Sequence, residues 1–257
     1  MFISSKFIFN GVHCDDMYIK LVNFDSEVLN KYGFDYSEDI TMVKNKRFSS
    51  YYLGEQPESE DITLCMVLSD SNNAPMTWDK TILDSVLGWL IQDDFCPFVS
   101  EDDMDLIYYL KVIKVSKYFT YDMKGYIEVT FRPYSNYAYR HANKTVVTDT
   151  ETDFKLLNRS NVDSSYKPIM FIKNLGDTSN VITIKNLSNN IEFIIENLEA
   201  DEVVTIDCLM GTVFNSNKEN RLANCNRQWI SLGKGNNLFK ISGKSEVKFD
   251  CQFPIRM

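Results

Sequence analysis

The sequence predicts two domains: an α+β domain, β-rich with one main helix, followed by an all-β sandwich. Three observations carry this. An amphipathic helical stripe occurs once, between Trp78 and Ile91. Beyond Pro168, short apolar runs alternate with turn signals every ~8–12 residues, the spacing of a sandwich or barrel. The charge is also divided. Residues 1–140 carry 13 Lys+Arg against 22 Asp+Glu and residues 141–257 carry 14 of each, so the whole formal charge of −9 belongs to the first half. The boundary is set at 136/137, where texture and charge both change.

In chain order, Lys6–Val12 reads as a short strand closing on Asn10-Gly11, a strong hairpin signal, with Met17–Asn23 as the returning strand. Residues 24–60 are polar and charged and leave the core as a loop, an extended arm or an irregular hairpin. Within them Phe48–Leu53 is short and aromatic, and Gly54–Glu60 reads as an exposed acidic loop. Ile62–Leu68 alternates Ile62, Leu64, Met66 and Leu68 on one face of a strand.

The stretch Met76–Pro133 organises the first domain. Trp78, Ile82, Val86 and Trp89/Leu90 recur at helical spacing, widened by Leu83 and Leu87. Thr77 is placed to cap this helix and Asp79 to sit in its first turn, where the helix dipole favours an anion. Gly88 costs about 1 kcal/mol against Ala in a helix, so a close neighbour is expected there. Pro97 excludes helix beyond Cys96. Leu106–Tyr118 has strand composition, Asp122–Gly125 is a turn, and Ile127, Val129 and Phe131 alternate with polar residues. Packing explains all of these residues without a catalytic group.

Tyr134–Lys167 is rich in Asn, Ser, Thr and Tyr and reads as a linker blending into a first strand near Thr145–Thr148. Strands are then expected at Pro168–Ile172, Val181–Lys185, Ile191–Ile195, Val203–Cys208, Trp229–Leu232, Leu238–Ile241 and Val247–Phe253, with Gly211–Cys225 as a long polar loop.

The chemistry on offer is sparse. The two histidines, His13 and His141, lie beside a turn and in the linker, and both are read as surface residues. The six cysteines form no C-x-x-C pair, and Cys65, Cys208 and Cys251 sit in apolar runs as small hydrophobes. They are read as free thiols in a reducing compartment. The acidic runs Asp93-Asp94, Glu101–Asp103 and Glu199–Glu202 match no calcium-loop spacing and are read as solvated loop acid. No phosphate-binding glycine loop or zinc-binding helix motif occurs. No catalytic, cofactor-binding or metal-binding residue is therefore assigned. An acidic first domain does not hold phosphate backbones by charge neutralisation. No secretory leader or bilayer-length apolar stretch is recognised, so a soluble protein of the cytoplasm without membrane contact is expected.

In its layout the chain resembles the distal tail protein family of long, non-contractile-tailed bacteriophages, over nearly its whole length. The resemblance rests on Phe7–Gly11 followed by Asp16–Ile19, on Arg47–Gly54 running to Ile62–Leu68, on the Trp78–Leu90 helix and on Val129–Pro133. In the second half it rests on Ile172–Asp177, Ile206–Cys208 and Trp229–Asn236. It implies an N-terminal ring-forming domain, residues 1–136, and a C-terminal galectin-like sandwich, residues 137–257. It further implies a homohexameric ring at the tail tip, without enzymatic activity or cofactor. That ring joins the tail tube protein to the tail-associated tip protein and in the family often anchors receptor-binding proteins; the acidic charge of the first domain would in turn suit a channel through which DNA passes without specific binding. The implied location is the virion tail tip, after assembly in the host bacterial cytoplasm. Residues 24–60 are the best candidates for an arm reaching a neighbouring subunit.

Two rival functions follow from the residues. One is a carbohydrate-binding module for host cell-surface saccharides. Against it, His141–Thr145 lacks the arginine, and Trp229–Leu232 the glutamate, of a galectin sugar site. The other is a hydrolase built on the acidic loops, which the shortage of histidine and the lack of a nucleophile motif disfavour.

Overall fold

The computed structural model describes residues 4–22, 34–42 and 50–256, with side chains described for 4–22 and 60–256. Two compact units divide between Ala138 and Tyr139.

The first unit contains strands β1 (Phe7–Phe9), β2 (Val12–His13), β3 (Ile19–Val22), β4 (Phe34–Met42), β5 (Ser50–Ser59) and β6 (Ile62–Leu68). Helix α1 (Lys80–Leu90) and strands β7 (Cys96–Ser100), β8 (Leu106–Phe119) and β9 (Gly125–Pro133) follow. The order across the main sheet is β2-β1-β7-β8-β9-β6-β3, antiparallel throughout. β4 and β5 form a separate two-stranded hairpin, with a register shift between Glu38 and Ile40.

The helix forms where the stripe predicts. Leu83, Val86, Trp89 and Leu90 are its buried residues, and burying each contributes roughly 1.5–3 kcal/mol. Trp89 stacks on Phe7 at 5.7 Å, and its indole N–H donates to Phe9 O at 3.0 Å. Phe98 stacks on Phe7 at 5.0 Å and meets Phe131 edge-on at 6.1 Å. At the start of the helix, Trp78 donates through its indole N–H to Gly125 O at 3.0 Å and through its backbone N–H to Met123 O at 2.9 Å. The helix is thereby anchored to the β8–β9 turn.

The second unit is a two-layer sandwich. Its strands are β10 (Tyr137–Thr148, of which the first two residues belong to the first unit), β11 (Glu151–Asn158), β12 (Ile169–Asn174), β13 (Ile182–Asn186) and β14 (Ile191–Ile195), then β15 (Val203–Asp207), β16 (Thr212–Asn215), β17 (Gly235–Ser242) and β18 (Ser245–Arg256). One layer runs β16-β15-β12-β18-β10 and the other β11-β17-β13-β14. Alternate residues of both layers, among them Met170, Ile172, Ile184, Phe193, Ile206, Phe239, Ile241 and Phe249, fill the space between them.

Several expectations are corrected. The helix cap is Asp79, whose carboxylate accepts from Ile82 N–H at 2.8 Å, and not Thr77. Nothing lies within 4 Å of a Cβ built at Gly88, so no close neighbour explains that glycine. The Asn10-Gly11 hairpin returns only through β2, because residues 14–17 coil into a 3-10 turn and β3 pairs with β6 instead. Gly54–Glu60 is largely strand, as part of β5, and Pro57 is accommodated because a two-stranded hairpin has only edges. The strand expected near Thr145–Thr148 forms as the end of β10, but the rest of Tyr134–Lys167 is no linker: β10 already begins at Tyr137, and β11 follows. The polar composition misled there because β11 shows alternate residues to solvent, with Glu151, Asp153 and Lys155 exposed. Within Gly211–Cys225 lie β16 and a 3-10 turn, whereas Trp229–Leu232 is no strand, apart from a single bridge at Leu232. Among the described residues no helix is long and apolar enough to cross a membrane.

Candidate functional site

The residues able to do chemistry are used locally. His13, Cys14 and Asp15 place their ligand atoms within 4.8 Å of one another, the arrangement among the described residues that could hold a metal ion. Each is already engaged. His13 Nδ1 accepts from Asp15 N–H at 3.1 Å, and its Nε2 lies 2.9 Å from Glu101 Oε1. Asp15 pairs with Lys6 at 2.5 Å, which holds its carboxyl below the usual range. Cys14 Sγ accepts from Phe7 N–H at 3.3 Å, and burial pushes its thiol up, away from the thiolate a metal requires. The cluster ties the 3-10 turn to β1 and to the loop before β8. His141 lies exposed on β10, not in a linker.

The acidic runs also resolve into structure. Asp102 Oδ1 accepts from Ser4 N–H at 3.3 Å and from the Ser100 hydroxyl, and Asp93 O accepts from the Lys111 ammonium. Glu199–Glu202 lines an open cleft of about 360 Å³ in the second unit, together with Asn215, Glu219 and Arg221. Glu202 Oε1 accepts from Arg221 Nε at 2.7 Å and from Asn215 Nδ2 at 3.0 Å, and its Oε2 accepts from Glu199 N–H at 2.9 Å. Burial pushes the Glu202 carboxyl up, but these donors outweigh it and leave the group below its ordinary value. Glu219 shares the same Arg221 at 3.3 Å. Both carboxylates thus serve one guanidinium as a brace across two loops, and neither is placed as a general acid.

Sequence reasoning missed a set of buried asparagines. β11, β12, β13 and β16 each end on Asn: Asn158, Asn174, Asn186 and Asn215. In every case the side-chain oxygen accepts from the N–H two residues on, at 2.9–3.0 Å, forming an Asx turn. The signal was present as an Asn following each apolar run. Asn174 goes furthest, with Nδ2 reaching Leu198 O, Asp177 O and Glu199 O at 2.9, 3.0 and 3.1 Å. Tyr166 was also missed. It accepts from Gln252 N–H at 2.8 Å, and burial pushes its phenol up to about 12.

Contact surface is the remaining resource. Tyr118 stacks on Tyr126 at 4.8 Å near the β8–β9 turn, where Tyr121 is fully exposed. Phe95 and Tyr134 meet edge-on at 5.3 Å and are both exposed. Leu209 and Met210 project from the β15–β16 turn at 69% and 72% exposure. Trp229, by contrast, is half-buried against Phe193 and the sandwich core and offers no sugar platform. The hairpin β4–β5 has no further strand partner among the described residues.

Comparison with known proteins agrees with this picture. Residues 2–135 match the model of a phage tail protein N-terminal domain, and residues 137–251 that of a phage tail C-terminal domain. The fold is similar to that of the Dit protein of phage SPP1, described as a paradigm of the hub adsorption apparatus in phages infecting Gram-positive hosts. That likeness has a TM-score of 0.63 at 12% identity and covers 96% of this chain and 98% of that one. A chain of the phage P2 baseplate in its activated conformation with Ca is more distant, with a TM-score of 0.47 at 10% identity over 91% of this chain and 90% of that one. No curated protein sequence matches.

Proposed function

We propose, from the premise that this chain belongs to the phage tail protein family whose N- and C-terminal domain models span residues 2–135 and 137–251, that it is the structural hub of a tail tip. The observation that carries this is the likeness of fold, over nearly the full length of both chains, to a tail hub protein. In this reading the chain is a virion component without enzymatic activity, residues 1–136 build a homohexameric ring, and residues 137–257 form a galectin-like outer domain. The ring joins the tail tube protein to the tail-associated tip protein and anchors receptor-binding proteins. DNA passes through its channel without specific binding.

Three features support the reading. The hairpin β4–β5 stands apart from the main sheet, and an isolated two-stranded hairpin is marginal in water, so a neighbouring subunit is its natural support. The residues able to do chemistry are consumed by turns and braces. The exposed aromatics suit contacts with other tail proteins. The carbohydrate-binding reading loses Trp229 to the core, and a saccharide titration of the purified protein is expected to be flat.

Negative-stain microscopy of the purified protein, alone and with the tube and tip proteins, tests the proposal. Six-membered rings are expected under at least one of these conditions. Absence of rings under all of them overturns it. A neutral or basic lumen in such a ring would sink the idea that an acidic wall keeps DNA from sticking.

A further inference from the structure

The sandwich of the second unit treats its outer edges unequally. β14 is covered by its own chain: Asn226 N–H donates to Ile194 O at 3.1 Å, Glu196 N–H donates to Asn224 O at 3.0 Å, and Asn226 Nδ2 donates to Glu192 O at 2.8 Å. β16 is covered likewise, with Arg221 N–H donating to Val213 O at 2.9 Å and Asn215 N–H to Glu219 O at 3.0 Å. β11 differs. All eight of its residues pair with β17 on one side, and it has no strand partner on the other side among the described residues. An open edge of that length is a template for another strand, and proteins ordinarily cover or blunt it.

The side chains select what can pair there. Asp153 and Lys155 are exposed on the outer face, while Phe154 and Leu156 turn inward, Phe154 stacking on Phe239 at 5.1 Å. Antiparallel pairing of β11 with itself keeps the inward residues on one face only in registers centred on a residue. Centring on Lys155 sets lysine against lysine, and centring on Asp153 sets aspartate against aspartate. Centring on Phe154 sets Asp153 of each copy opposite Lys155 of the other, with the two phenylalanines meeting at the axis. Opposite charges directly across a strand pair stabilise it and like charges oppose it.

We infer that β11 is a self-association edge, on which a second copy of this chain adds its own β11 antiparallel about Phe154 to make one continuous eight-stranded sheet from two four-stranded layers. The occupant is this chain because the edge carries its own charge complement. The inference does not rest on the ring: a two-fold contact cannot recur between neighbours of one six-fold ring, so it joins free copies or copies from two rings.

Sedimentation of the full chain gives the first test. The wild type is expected to double in mass with rising concentration, from monomer to dimer or from ring to paired rings. Lys155→Asp, which sets acid against acid twice, is expected to weaken the doubling about tenfold or more, and Asp153→Lys/Lys155→Asp to restore it. No doubling in the wild type, or doubling untouched by Lys155→Asp, overturns the inference, whereas ring formation itself is judged separately by microscopy. The second test is oxidative cross-linking against a wild-type background. Asp153→Cys/Lys155→Cys is expected to give a covalent dimer and each single variant none. A dimer from either single variant, or none from the double variant, refutes the register. If β11 instead binds only a strand from another tail protein, the double variant stays uncrosslinked when purified alone, which also overturns self-pairing.

Discussion

Replacing Asn174 by alanine should be the most damaging single polar change in the second unit. The residue is fully buried at the end of β12. Its amide nitrogen faces Leu198 O, Asp177 O and Glu199 O at 2.9–3.1 Å, three acceptors for two hydrogens. Its oxygen accepts from Gly176 N–H at 3.0 Å and from Asn180 Nδ2 at 2.7 Å. Two donated and two accepted bonds are therefore lost. At about 1 kcal/mol net for each, the cost is about 3–4 kcal/mol, because the buried Leu198 carbonyl gains no new donor. That is a large share of the roughly 5–15 kcal/mol by which a domain is stable. At about 4 °C per kcal/mol the transition of the second unit should fall by about 12–16 °C. Scanning calorimetry of the full chain measures this, and hydrogen exchange of β12 and the 198–202 loop assigns the transition. A loss below about 1 kcal/mol would show that water replaces the amide, and would refute the view that this asparagine holds the loops together.

Other outcomes follow from particular residues. Gly88→Ala should stabilise the first unit by about 0.5–1 kcal/mol in a urea titration, since the site is open and helical. Gly243→Ala should do the reverse by about 2 kcal/mol or more, because φ there is +94° and the new Cβ would stand 2.2 Å from Val181 O. The Glu202 carboxyl is held below the ordinary glutamate value by its donors, against the burial that raises it. Its contribution to stability is thus present above about pH 4.5 and lost as pH falls through the lower, folded value. The stability gap between wild type and Glu202→Gln, read from urea midpoints, should narrow on going from pH 6 to about pH 3. Alkylation without denaturant should spare Cys208 and Cys251, whose fully buried thiols are pushed up to about 12, and reach the half-exposed Cys65 and Cys225 first.

Elements whose neighbours in sequence are also their partners were legible. The stripe from Trp78 to Leu90, the β8–β9 hairpin with its turn before Gly125, and the β13–β14 pair around Ser188–Asn190 all formed where their patterns placed them. Of β10 only the end at Thr145–Thr148 was legible, and β11 was not, because their outward faces are polar enough to imitate a linker. The pairing of β3 with β6 was hidden too, since residues 23–61 separate the two strands. At the level of the site, the scarcity of histidine and of nucleophile motifs was plain from the composition. The brace of Glu202 and Arg221 was not, because its members lie 19 residues apart and meet only when the loops close.

By itself the sequence determined that one helix packs an apolar stripe in a β-rich first half, and that a strand-and-turn second half follows. Those are local facts, written in the period of the apolar residues and in the stereochemistry of Gly, Asn and Pro. Only the tertiary structure decided which strands became neighbours, which edges were covered and that β11 was left open. Pairing between distant strands is selected by the burial of whole faces, and no short window of residues contains that information.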